Sequence, residues 1–358
     1  MKRAHIITIL SVALVWVSTS EAQAHPAWGI AVDRQGQVYF SDLKTVWKID
    51  PQGKVSVLRD EGHTHDLNVD EAGNVYGEHD FTAIWKMTPT GGFSYLYAPT
   101  GNPLRGISIW TDRDGNMYSV EQNNHLKRET LLLRRTPGGN VSVLAGSSYG
   151  HADGKGAQAK FSNIVGMAFG PDGSLYLSDG SSVRKVTLDG TVTTLAHNIV
   201  VENASEKPAG GSSLFGIAVD AQINVFVADY GNRRVLKITP DSRLTTLLRA
   251  EPPWFPTGVA CLGNDVYVLE HSFTATHAPM GTRVRRLSPD GQIRALATVG
   301  EVKAISESSP VGGAVFKTWV GPKLNRYVLI GIVPGISALA FIVWLFSRRM
   351  YKRRGGQN

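Results

Sequence analysis

The segment WGIAVDRQGQVYFSD at residues 28–42 recurs, with variations, five more times before residue 300. The other copies are HDLNVDEAGNVYGEH (65–79), RGISIWTDRDGNMYSVE (105–121), VGMAFGPDGSLYLSD (165–179), FGIAVDAQINVFVAD (215–229) and TGVACLGNDVYVLE (257–270). Each runs on into a second pair of apolar stretches around a turn, VWKIDPQGKVSVL after the first copy and VRRLSPDGQIRAL after the last. Consecutive apolar residues such as Ile30-Ala31-Val32 suit a strand covered on both faces. The Gly-containing turns and alternating stretches that follow suit hairpins. Four short strands every ~40 residues predict a β-propeller, because such a unit buries its faces only against neighbours. Six copies close a ring, so the expected fold is all-β, a six-bladed β-propeller over residues 25–300.

The ends of the chain read differently. Residues 1–24 join two basic residues, an apolar run from Ile6 to Val17 and a small-x-small Ala22-Gln23-Ala24, the build of a cleaved signal peptide. Residues 327–346, YVLIGIVPGISALAFIVWLF, carry no charge and span about 30 Å as a helix, enough to cross a bilayer. The Arg and Lys of the tail at 347–358 mark the side that is not translocated. A single-pass protein with an extracytoplasmic propeller, a stalk at 301–326 and a cytoplasmic C-terminus is expected. The basic residues of the two ends (Lys2, Arg3, Arg348, Arg349, Lys352, Arg353, Arg354) account for nearly all of the net charge of +7. The body is close to neutral and has no basic stripe interleaved with aromatics, which argues against a nucleic-acid partner. With one cysteine, Cys261, set in an apolar strand, no internal disulfide framework is possible.

Residues 150–197, GHADGKGAQAKFSNIVGMAFGPDGSLYLSDGSSVRKVTLDGTVTTLAH, resemble the NHL repeat, whose blades are led by a Gly/Asp-rich, Phe-containing segment. The resemblance is strongest in the fourth and fifth copies. It implies a six-bladed propeller related in architecture to the SMP-30/gluconolactonase group. Propellers of this kind include protein and RNA binders, lactone hydrolases and a zinc-dependent amidating lyase, so the fold leaves function open.

In a propeller, the residues entering the first strand of each blade and those leaving the second lie on one face, around the central opening. The first ring reads Trp28, His65, Arg105, Val165, Phe215 and Thr257; the second reads Asp42, His79, Glu121, Asp179, Asp229 and Glu270. Asp42, Asp179 and Asp229 fit a structural loop-capping role. His65, His79 and His271 are the candidate metal ligands, with His63 able to stand in for His65. Imidazoles with an open position suit zinc, and mainly oxygen ligands suit calcium. Glu121 and Glu270 are candidate catalytic bases, and Arg105 is a candidate clamp for a substrate carboxylate. Trp28, His65, Arg105 and Phe215 are the candidate ligand-binding residues. No G-x-S-x-G elbow, HExxH or Rossmann fingerprint accompanies them.

Two functions follow from these residues. The first is a membrane-tethered recognition module whose top face binds a protein, peptide or small molecule. The second is a metal-dependent hydrolase or lyase of a small substrate, lactonase-like or amidating-lyase-like. The absence of a convincing set of acid and amide ligands for calcium favours the first.

Overall fold

The computed structural model describes residues 26–300 apart from 61, 80–82, 98–108, 113, 123–128, 200–213 and 274–278. The expected signal segment, stalk, membrane helix and basic tail lie outside the described residues. Among the described residues, no helix is long and apolar enough to cross a membrane.

Six antiparallel sheets of consecutive strands form the blades of a six-bladed all-β propeller. Blade 1 runs from β1 (Ile30–Val32) to β4 (Val55–Arg59) and blade 2 from β5 (Leu67–Val69) to β8 (Phe93–Tyr97). Blade 3 runs from β9 (Ile109–Thr111) to β12 (Val141–Ser148). Blade 4 runs from β14 (Ile164–Phe169) to β17 (Thr191–Ala196), and a short β13 (Gly154–Lys155) pairs with β17 as a fifth strand. Blade 5 spans β18 (Leu214–Val219) to β21 (Leu244–Arg249), and blade 6 spans β22 (Trp254–Leu262) to β25 (Ile293–Gly300).

One device sets the first hairpin of most blades. Asp33 accepts hydrogen bonds from the Gln35 and Gln37 amides at 3.0 and 2.8 Å and from the Tyr39 hydroxyl at 3.0 Å. Asp70 with Tyr76, and Asp112 with Tyr118, repeat it. The carboxylate closes the turn, and the phenol ties the turn to the second strand. The fourth turn residue is left-handed, and Gly36, Gly73, Gly115 and Gly173 supply it. In blade 5 it is Ile223, at φ 63°, a β-branched residue in a conformation that costs about 1–2 kcal/mol.

This register also realigns blade 3. Asp112 occupies the place of Asp33, and Thr111 pairs with Met117 as Val32 pairs with Val38. The first strand of blade 3 is therefore Ile109–Thr111, and counting back puts the first-ring position at residue 107 rather than at Arg105. Both lie outside the described residues.

The core lies between blades rather than within them. Ile30, Phe40 and Ile49 of blade 1 pack on Ala260, Leu269 and Val284 of blade 6, and Tyr39 and Val46 pack on Leu67 and Trp85 of blade 2. Equivalent clusters join blades 3 and 4, 4 and 5, and 5 and 6. Among the described residues, blades 1 and 6 each contain only their own consecutive strands, and packing joins them.

The repeat glycine makes that packing possible. A Cβ on Gly29 would stand 2.8 Å from the Leu67 nitrogen, one on Gly166 2.5 Å from the Phe215 oxygen, and one on Gly258 2.2 Å from the Trp28 oxygen. The innermost strands approach one another through this ring of glycines and enclose a channel of about 220 Å³.

Candidate functional site

The top face is defined by the residues entering the first strands and leaving the second. Trp28 and His65 are tied together there by backbone, since the amides of Trp28 and Gly29 both donate to the His65 carbonyl at 2.9 and 2.7 Å. Their rings stack with centroids 5.4 Å apart. Trp28 also meets Phe215 at 6.1 Å, so three of the four candidate ligand-binding residues form one contact group; Arg105 lies outside the described residues.

The group extends well beyond the two rings of positions. Phe215 meets Tyr230 at 5.0 Å, Tyr230 stacks on Phe255 at 4.8 Å, Phe255 meets Phe273 at 6.0 Å, and Phe273 stacks on His271 at 6.3 Å. At the other end His63 packs edge-on to His65 at 4.6 Å. An unbroken arc of rings thus runs from His63 of blade 2 through blades 1 and 5 to His271 of blade 6. Phe215, Phe255 and His63 are half-buried and present the arc to solvent, while Trp28, Tyr230 and Phe273 are buried beneath. The Arg233 guanidinium sits 3.7 Å over the Phe255 ring. Tyr230, Phe255 and Phe273 fall outside the two ring positions, which is why comparing those positions alone misses them.

The candidate metal ligands are distributed differently. His65 is fully buried; its amide and its Nδ1 both meet Glu78 Oε1 at 2.5 Å. Glu78 occupies the place held by Ser41 and Ser178 in blades 1 and 4, whose hydroxyls donate to carbonyls of the following blade. A carboxylate at a hydroxyl position is the sequence signal that would have identified it. His79, at the end of β6 (Val75–His79), rests over Gly62, whose added Cβ would stand 2.1 Å from its Nδ1. His271 is buried with Nδ1 2.9 Å from the Thr257 hydroxyl.

Among the described residues no three or more His, Cys, Asp or Glu side chains converge as a metal-ligand set. Of the three candidate ligands, His65 Nδ1 meets Glu78 and His271 Nδ1 meets Thr257.

The candidate bases are also placed. Glu270 is fully buried, with Arg283 Nε on one oxygen at 2.7 Å and the Arg285 guanidinium on the other. The pattern extends around the second ring, where Asp179 binds Arg184 at 2.9 Å and Asp229 binds Arg234 at 2.7 Å. Asp42 accepts from the amides of Lys44 and Thr45 and from Trp47 Nε1. Glu121 is the next-to-last residue of the second strand of blade 3 (Met117–Gln122), opposite Leu131, and is half-buried.

Burial depresses the His271 pKa from 6.5 to about 3, the Ser41 backbone opposing the fall, so this imidazole is neutral in the folded protein. Between those values the unfolded chain holds a proton that the folded chain lacks, and stability rises with pH. Acidification through this window is expected to remove as much as about 5 kcal/mol, and above it the stability is fully present. Denaturant titrations from pH 3 to 7 check this: His271→Gln should lose most of that pH dependence, and an unchanged slope would refute the assignment.

Comparison with known proteins bears on the fold. No protein-family model matches the chain. Teneurin-m of Drosophila melanogaster is 24% identical over 229 residues; the match covers 60% of this chain and 7% of the length of that protein. Among solved structures, a luciferin-regenerating enzyme superposes with a TM-score of 0.53 at 17% identity, covering 77% of this chain and 95% of that one. A gluconolactonase from Xanthomonas campestris gives a TM-score of 0.50 at 20% identity, covering 69% and 83%. The chain is a six-bladed β-propeller with structural neighbours in the SMP-30/gluconolactonase/regucalcin group.

Proposed function

We propose that this propeller is a membrane-anchored, extracytoplasmic recognition module of the NHL-repeat type. It binds through the aromatic arc of its top face. The observation that carries the reading is the continuity of ring contacts from His63 to His271, with Phe215 and Phe255 at the solvent side. Half-buried aromatic rings on a rigid scaffold provide contact area at low entropic cost. The ligand that fits is one with a flat apolar surface, such as an aromatic peptide side chain or a sugar ring. Neighbouring acids and imidazoles hold the scaffold in shape: Glu78 fixes His65, and two arginines fix Glu270.

The test is to screen the full chain against peptide and glycan arrays, with lactone and ester hydrolysis assayed in parallel. Capture without turnover is the expected result. Phe255→Ala should weaken the captured interaction by about 2 kcal/mol, or roughly thirtyfold. Turnover of a lactone that needs added zinc or calcium would overturn the reading in favour of a metal-dependent hydrolase, and one structural neighbour is named a gluconolactonase.

A further inference from the structure

A large cavity lies at the opposite face from the aromatic arc. It has a volume of about 1010 Å³ and extends beneath blades 2 to 5, where the first hairpins of those blades turn. That volume is at the upper end of the range for small-molecule sites. Trp110 and Phe169 are among its lining residues, with ring centroids 6.5 Å apart, and both also line the central channel. Both rings are half-buried. Leu96 and Leu188 contribute apolar wall while 43% and 42% exposed.

The charge around this cavity has one predominant sign. Asp70, Asp112 and Asp220 line it, and the hydrogen bonds that hold them come from backbone amides, Asn side chains and Tyr hydroxyls. Uncharged donors stabilise a carboxylate without cancelling its charge, and Asp70 also feels a nearby lysine, Lys86. Glu71 also lines the cavity but is paired with Arg34 at 2.9 Å, whereas Asp114 is exposed. Among the described residues that line it, Arg135 is the cation.

We infer that this lower cavity is a binding site for an organic cation with an aromatic or apolar body. The indole face of Trp110 attracts a cation through its quadrupole, the leucines cover the apolar part, and the carboxylates supply the counter-charge. Electrostatic complementarity of this kind selects among ligands of similar shape. The site is separate from the aromatic arc, and its occupant does not depend on the top-face reading.

The experiment is a calorimetric titration of the full chain with benzyltrimethylammonium, alongside neutral benzyl alcohol and anionic phenylacetate. Saturable binding of the cation is expected, with each of the other two at least about tenfold weaker. Asp114→Lys changes an exposed residue, and a thermal melt matching wild type will confirm that the fold is intact. It should weaken cation binding by about tenfold, as should Trp110→Leu, while Phe255→Ala on the other face leaves it unchanged. The inference is overturned by any of three results: no saturable binding, equal affinity for the cation and the alcohol, or a loss in Phe255→Ala without one in Asp114→Lys.

Discussion

Gly258→Ala is expected to destabilise the propeller by about 3 kcal/mol, more than is usual for adding one methyl group, because the methyl meets backbone rather than a movable side chain. Its carbon would lie 2.2 Å from the Trp28 carbonyl oxygen and 3.0 Å from Ile30 Cγ2. Those atoms belong to blade 1, so relief requires blades 6 and 1 to separate. Among the described residues no strand is exchanged between them, and packing of the kind seen at Ile30, Phe40, Ala260 and Leu269 holds that junction together. Equilibrium unfolding in denaturant will show a lower midpoint for the variant. Gly53→Ala serves as the control: its Cβ meets nothing within 4 Å, and its left-handed backbone at φ 86° costs an alanine only about 1 kcal/mol. Equal losses for the two variants would mean that the close approach of the innermost strands is not what closes the ring.

The second large effect is at Glu270. Glu270→Gln keeps the shape of the side chain and removes its charge, leaving the Arg283 and Arg285 guanidiniums without their counter-ion. Breaking a buried ion network by removing one partner costs about 3–5 kcal/mol, because the remaining charges are still desolvated. The side chains of Arg283 and Arg285 are 20% and 14% exposed, so some solvation survives and the lower part of that range is expected. The same variant separates the two roles proposed for this residue. A clamp loses stability on this substitution, whereas a catalytic base would leave the melting temperature near wild type and abolish turnover.

The architecture was legible in the sequence because a propeller is a repeated one-dimensional pattern. The consecutive apolar triplets, the Asp-led turns and the following aromatic all recur at readable spacing. Blade 3 shows where that reading slips. Gly106 imitates the repeat glycine, but the turn is set by Asp112, which binds the Tyr118 hydroxyl, and this moves the first strand two residues along. Counted from Asp112, the first-ring position of blade 3 falls at residue 107, whereas counting from Gly106 gives Arg105; both lie outside the described residues.

The candidate site was less legible, for a physical reason. The unusual residues His65, His79, Glu270 and His271 stand out against the repeat, yet their roles depend on neighbours that spacing does not reveal. Glu270 meets arginines on the next strand, and Glu78 reaches back across its blade to His65. His65 meets Glu78 and His271 meets Thr257, partners that spacing alone does not reveal. The aromatic arc was visible only at Trp28, His65 and Phe215. Tyr230 lies in the turn after the second strand of blade 5, Phe255 three residues before the blade 6 glycine and Phe273 two residues after His271, all outside the aligned positions.

The most direct test of the account is hydroxyl-radical footprinting of the full chain with and without the array-selected ligand. Protection of Phe215 and Phe255, with Trp110 on the lower face unchanged, is the predicted result. Protection of Trp110 with the top-face rings unaffected would contradict recognition through the aromatic arc.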